Sequence, residues 1–120
     1  MSSKQFDRTR FDHIGVITEE KHGEESFVDL TRVWVTNPRA HPANVEYLRY
    51  EHDTPVTGPI RHLPHVAYRV DSVDEAIKGY DILLEPMDVA DGFVRVAFVL
   101  VDGAVVEFMQ YRNPNEMGWF

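Results

Sequence analysis

The sequence repeats itself at about half its length, and a duplicated chain has to fold as two copies of one unit. Three segments match in the same order. Asp12-His13-Ile14-Gly15-Val16 resembles Pro64-His65-Val66-Ala67-Tyr68, Arg32-Val33-Trp34-Val35 resembles Arg95-Val96-Ala97-Phe98, and Val45-Glu46-Tyr47-Leu48-Arg49-Tyr50 resembles Val106-Glu107-Phe108-Met109-Gln110-Tyr111. The offset is 52 at His13/His65, 63 at Arg32/Arg95 and 61 at Glu46/Glu107. The length difference of about ten residues falls between the first and second matches.

Local patterns say what each copy is made of. In the second, His65 to Val70 reads as a strand, rich in β-branched and aromatic residues. Asp71 to Tyr80 reads as a short helix with Ser72 and Glu75 as a capping box and Val73, Ala76, Ile77 and Tyr80 on one face. Ile82 to Val89 is a weaker strand interrupted by Pro86. Phe93 to Asp102 is a strong one, Asp102-Gly103 signals a hairpin turn, and Ala104 to Tyr111 is the last strand. The first copy shows strands over Phe11–Thr18, Thr31–Thr36 and Asn44–Tyr50, with Phe27 and Val28 as a short edge strand. Its segment Glu19–Asp29 has no helical stripe, so a helix of roughly three turns is missing there. The expected class is α+β: two βαβββ-type units, the first without its helix. Their expected bounds are about 11–51 and 65–111, with a Pro-rich connector at 52–64 and a tail at 112–120, all within one domain.

Composition narrows the function. The 120 residues carry 12 basic and 20 acidic side chains, a net charge of −8, which argues against a nucleic-acid partner. No apolar run approaches the ~20 residues of a membrane span, and the N-terminus lacks the apolar core of a secretory signal. With no cysteine, disulfides, thiol nucleophiles and thiolate-held zinc are excluded, and a cytoplasmic location is expected.

Only two functional residue types coincide at matched positions: a histidine in each first strand and a glutamate in each last strand. Strand side chains alternate between faces. His13 is therefore expected to share a face with Phe11, Gly15 and Ile17, and His65 with Ala67 and Arg69. Glu46 falls with Asn44, Leu48 and Tyr50, and Glu107 with Val105, Met109 and Tyr111. The neighbours of Glu107 point to a buried face, where a carboxylate is costly unless paired or bound to a cation. Gly15 and Ala67, two positions after each histidine, leave room beside an imidazole. Two imidazoles and two carboxylates at one point suit a divalent metal (Zn²⁺, Ni²⁺, Co²⁺, Mn²⁺ or Fe²⁺, zinc favoured) with positions left open for a substrate.

The pattern Asp12-His13-Ile14-Gly15, Val45-Glu46, His65-Val66-Ala67, Val106-Glu107-Phe108-Met109 resembles the vicinal oxygen chelate superfamily, the glyoxalase, bleomycin-resistance and dioxygenase group. The resemblance covers residues 11–111. It implies two units forming an open, cup-shaped β-barrel, with metal ligands at His13, Glu46, His65 and Glu107, the set most like glyoxalase I. It further implies a metal-dependent lyase, isomerase or epimerase that abstracts a proton next to the chelated carbonyl of a small-molecule substrate. Glu107 or Glu46 would be the base, and the assembly a homodimer. Arg69, Trp34, Tyr50 and Tyr111 are candidate substrate contacts. A second reading is a metal-free protein that sequesters a cationic drug or ligand with Trp34, Tyr47, Tyr50 and Tyr111. The apolar end of the tail, Met117, Trp119 and Phe120, is expected to dock on a partner chain.

Overall fold

A computed structural model describes residues 6–116. Eight strands form one sheet: β1 (Phe11–Ile17), β2 (Ser26–Val28), β3 (Val33–Val35), β4 (Val45–Tyr50), β5 (His65–Arg69), β6 (Asp81–Val89), β7 (Val94–Val101) and β8 (Ala104–Tyr111). Their order across it is β2-β3-β4-β1-β5-β8-β7-β6. Each unit keeps its strands together. In each, the first strand lies parallel to the last, β1 beside β4 and β5 beside β8, and the units join through the antiparallel pair β1·β5. The sheet is curled, so that Val28 on one edge strand packs against Met87 and Val89 on the other. No helix among the described residues is long and apolar enough to cross a membrane.

Strand register makes the repeat sharper than the sequence comparison does. Val33 pairs with Tyr50 and Val35 with Leu48 in the first unit; Val94 pairs with Tyr111 and Val96 with Met109 in the second. Each equivalent pair of residues is 61 apart, the same as Glu46 and Glu107. The middle match is thus Val35 with Val96, and the offset of 63 slips it by two residues, which leaves side chains on the same face and so conceals the error. Against the 52 of the histidines, the second unit is longer by nine residues, all between β5 and the end of β6.

Those residues include α2 (Val73–Ala76), one helical turn rather than a helix over 71–80. Ser72 Oγ accepts the Glu75 amide at 3.2 Å, as the capping pattern predicts. The chain then leaves the helix in turns, with Gly79 at φ 89°. Val73 and Ile77 pack against Ala97, Val99, Val106 and Phe108 on the outer face of β7 and β8. Burying Val73 completely contributes roughly 1.5–3 kcal/mol. With the cup on their other side, β7 and β8 are buried on both faces and read as almost unbroken apolar runs. Pro86, lacking an N–H, lies in edge strand β6, whose pairing with β7 shifts register between Leu84 and Met87. Asp102 and Gly103 both have positive φ, the geometry of a tight hairpin turn. The connector carries one further turn of helix, α1 (Pro59–His62), which sends Ile60 into the core.

The first unit has no helix between β1 and β2. Its loop lies over the outer face instead. His22 stacks on Tyr47 with ring centres 3.9 Å apart, and Glu25 grips Arg49 through two bonds of 2.7 and 3.0 Å. The tail residues Met117, Trp119 and Phe120 lie outside the described residues.

Candidate metal centre

His13, Glu46, His65 and Glu107 all point into the concave side of the sheet and are all buried, His13 completely. Their positions follow from the register. Gly15 is the cross-strand partner of Glu46 and Ala67 that of Glu107, so each unit sets its histidine two residues from the point where its glutamate pairs. Across the β1·β5 junction the small residues exchange roles: Gly15 faces His65 and Ala67 faces His13. Each therefore makes room for the other unit's imidazole, not its own. The fit is tight at Gly15, where a Cβ would stand 2.0 Å from the His65 ring.

The donor atoms form a compact polyhedron. His13 Nε2 is 3.3 Å from Glu46 Oε1 and 3.4 Å from Glu107 Oε1; His65 Nε2 is 3.7 and 3.2 Å from the same two oxygens; the two Nε2 atoms are 3.4 Å apart. All four lie within 4.8 Å of one another. Ligands at ~2.1 Å from a tetrahedral ion are separated by roughly 3.4 Å. The five nitrogen–oxygen and nitrogen–nitrogen separations are of this size, and two neutral imidazoles with two carboxylates make a donor set that neutralises a dication. The cluster is suited to a divalent metal. With a proton in place of a cation, burial disfavours charged His13, but the Glu46 and Glu107 carboxylates and Asp12 outweigh it and hold its pKa well above 6.5. Burial likewise raises Glu107, and the two imidazoles more than reverse this, holding it at about 2.

One buried residue at this centre has no counterpart in the other unit. Asp12 accepts from His13 Nδ1 at 2.7 Å, leaving Nε2 to face the glutamates. Its other oxygen takes Arg39 Nη2, Arg69 Nε at 3.1 Å and the Tyr111 hydroxyl at 3.4 Å. Burial raises the Asp12 pKa, and the His13 and Arg39 bonds more than offset it, keeping the carboxylate ionised. Asp12 can lie on the same side as His13 because pairing with β5 is irregular between Phe11 and His13. Phe11, expected beside His13, is turned out and meets Tyr68 edge-on at 5.9 Å. Strict alternation hides Asp12. Its one sequence signal is an acid directly before a buried histidine. Arg39 comes from the 3-10 turn Pro38–Ala40 and has no periodic signal at all.

Above the glutamates opens a cavity of about 60 Å³. Its wall is apolar except for Thr31, Tyr50, Glu46 and Glu107. Of the residues considered for substrate, Tyr50 lines this cavity. Arg69 is bonded to Asp12 with its guanidinium 4.3 Å from the Tyr111 ring, and Tyr111 packs beside Met109 and Val94. Trp34 lies on the face opposite Val33 and Val35, where its indole N–H donates to Glu51 at 2.9 Å and Arg49 lies over its ring. Tyr47, also on the outer face, is covered by His22.

No model of a protein family matches the sequence, and no curated protein matches it significantly. Solved structures do. A hypothetical protein of Bacillus halodurans C-125, BH1468, superposes with a TM-score of 0.66 at 21% identity, over 88% of this chain and 96% of that one. Methylmalonyl-CoA epimerase of Mycobacterium tuberculosis superposes with a TM-score of 0.61 at 12% identity, over 88% and 89%. At these identities the likeness is one of architecture.

Proposed function

Since the chain has the vicinal oxygen chelate fold, we propose that it is a divalent-metal-dependent, glyoxalase-like lyase, isomerase or epimerase. It removes a proton from the carbon beside a carbonyl in a small substrate carrying vicinal oxygens. One observation carries this reading. Two imidazole nitrogens and two carboxylate oxygens from equivalent places in two units are spaced 3.2–3.7 Å across their nitrogen–oxygen and nitrogen–nitrogen pairs, and the two glutamates form the floor of an apolar cavity. His13, Glu46, His65 and Glu107 would hold the ion, with zinc favoured over nickel, cobalt, manganese or iron. When bound, the ion supplies a Lewis acid for negative charge developing on a substrate oxygen.

The chain's own groups supply the proton transfers. Glu46 and Glu107 are equivalent residues of the two units and stand on either side of the β1·β5 junction, Glu46 on β4 and Glu107 on β8. One carboxylate oxygen accepts the proton as the C–H bond breaks, and the electron pair stays conjugated with the carbonyl. Return of that proton by the same carboxylate to the neighbouring carbon gives an isomer; an epimer forms when the other glutamate, entering the cycle protonated, delivers its own proton to the opposite face, so that the two carboxyl groups end with their protonation exchanged. Glu46 is the more loosely held, 3.7 Å from His65 Nε2 against 3.2 Å for Glu107. The apolar walls keep water from the exposed carbanion. One of the two similar structures bears the name of an epimerase, in keeping with this class. A homodimer and a cytoplasmic setting belong to the same proposal. The sequestering reading gains nothing from the cavity, where Tyr50 alone of its four aromatic residues lines the wall.

The test is hydrogen exchange. Zinc-loaded protein with acetoin in heavy water should exchange the proton on the hydroxyl-bearing carbon, followed by NMR. Glu46→Gln and Glu107→Gln should each slow this by roughly 100-fold or more while circular dichroism is unchanged. Unaltered exchange in both variants would remove the glutamates from the chemistry.

A further inference from the structure

The wall of the cavity says which molecules of the proposed class can enter. Apart from the two glutamates on its floor, its polar side chains are Thr31 and Tyr50, and among the described residues no lysine, arginine, histidine, asparagine or glutamine lines it. The arginines nearest the centre are not part of this wall. Arg39 and Arg69 are bonded to Asp12, and Arg61 packs over the Tyr50 ring at 4.9 Å. Two carboxylates already balance a dication. An anionic group further along a ligand would therefore be buried without a counter-charge, at a cost that apolar walls do not repay. The volume, about 60 Å³, suits a short alkyl group and nothing much larger. Val28, Leu84 and Met87 are the partly buried apolar members of this wall, so a ligand's tail meets hydrocarbon at the rim as well as in the interior.

We infer that the substrate is a compact, aliphatic molecule, uncharged outside its chelating oxygens, and not an acid, a phosphate ester or a nucleotide-bearing thioester. The inference rests on the proposed metal chemistry and narrows its substrate class. Tyr50 is the one hydroxyl-bearing ring on the wall. Among the described residues its hydroxyl makes no hydrogen bond, so it is available to a neutral acceptor on the ligand.

Two hydroxamates of equal size test this. Both chelate a divalent ion through the same pair of oxygens. 4-Methylpentanohydroxamic acid carries a branched apolar end, and succinic monohydroxamic acid carries a carboxylate of the same shape. Binding is measured by calorimetry on the full chain loaded with one zinc, with metal content checked afterwards. The inference expects the apolar ligand to bind at least about tenfold more tightly, and Tyr50→Phe to weaken it by a few-fold. Equal affinities, or tighter binding of the succinic compound, would overturn the substrate class and leave the metal chemistry standing. Failure of both ligands to bind a protein that retains its zinc would mean an ion with no open position, and would overturn the proposed function and this inference together.

Discussion

The two units agree in their strand frame and in the donors it carries, and differ in what stands behind each donor. Both place a histidine on the first strand and a glutamate on the last, and the strand pairings beside these residues are equivalent throughout. Yet His13 is backed by a buried aspartate carrying two arginines and a tyrosine, whereas the residue before His65 is the exposed Pro64. Gly15 leaves no space beside His65, whereas Ala67 fits opposite His13 with its Cβ in place. The second unit covers its outer face with α2, the first with a polar loop. The symmetry is kept where one ion would need four donors around it and lost where each unit is free to support its donors differently. The first unit's support is ionic and specific; the second's is steric.

That contrast can be broken by substitution, beginning with the largest effect. Replacing either histidine with alanine should lower zinc affinity by roughly 100-fold or more, since each removes one of four donors. The two should differ in stability. His13→Ala leaves one oxygen of the buried Asp12 without its hydrogen bond, while His65→Ala breaks no such bond to a buried carboxylate behind the ring, so thermal unfolding should show His13→Ala as the less stable protein. Equal melting temperatures would deny the asymmetry.

Asp12→Ala should cost about 3–5 kcal/mol in denaturant unfolding, because it removes the buried carboxylate that Arg39, Arg69 and His13 share. It should also weaken zinc by roughly 10–100-fold through the loss of orientation at His13. Pro64→Ala, at the equivalent place in the other unit, should change neither.

Gly15→Ala should weaken zinc by a comparable ~10–100-fold by displacing the His65 ring, and Ala67→Gly by much less, at about 1 kcal/mol of stability. Comparable losses of zinc in the two variants would mean that the close approach at Gly15 does not hold His65 in place.

The pH dependence is the smallest effect and has a definite sign. The raised pKa of His13 adds stability to the metal-free protein that is complete below about 6.5 and is lost as pH rises through the folded-state value. The lowered pKa of Glu107 adds stability that is complete above about 4.5 and is lost as pH falls toward about 2. Metal-free protein should accordingly be most stable between about 4.5 and 6.5. The stabilisation by zinc should grow as pH rises above that window, because the ion displaces the proton. Zinc stabilisation that fell with rising pH over that range would contradict the proton-for-metal exchange.

The sequence made the repeat and the four donors legible because both depend on short, local patterns: a histidine or glutamate at a known place in a strand of alternating faces. Burial of Glu107 could be argued from Val105 and Met109 alone. What was hidden depends on how distant strands meet. The two-residue slip between Val33 and Val35 preserves the face and can be caught only from pairing with β4. The exchange of Gly15 and Ala67 across the junction needs the β1·β5 register. Asp12 emerges only through the irregularity beside Phe11, which no alternation rule predicts. The helix over 71–80 shrank to Val73–Ala76 because packing needs only Val73 and Ile77 on β7 and β8, and Gly79 lets the chain turn away. The chemistry of Trp34 suits a substrate contact, but the alternation that sends Val33 and Val35 inward sends it out.

Four side chains from two copies of one unit are proposed to enclose a single divalent ion. A zinc titration of the untagged, metal-stripped chain, with elemental analysis after dialysis, decides this. One zinc should be retained per chain in the wild type and none when His13 and His65 are both replaced with alanine. Wild-type protein that retains no ion, or a double variant that retains it as well as the wild type, would contradict it.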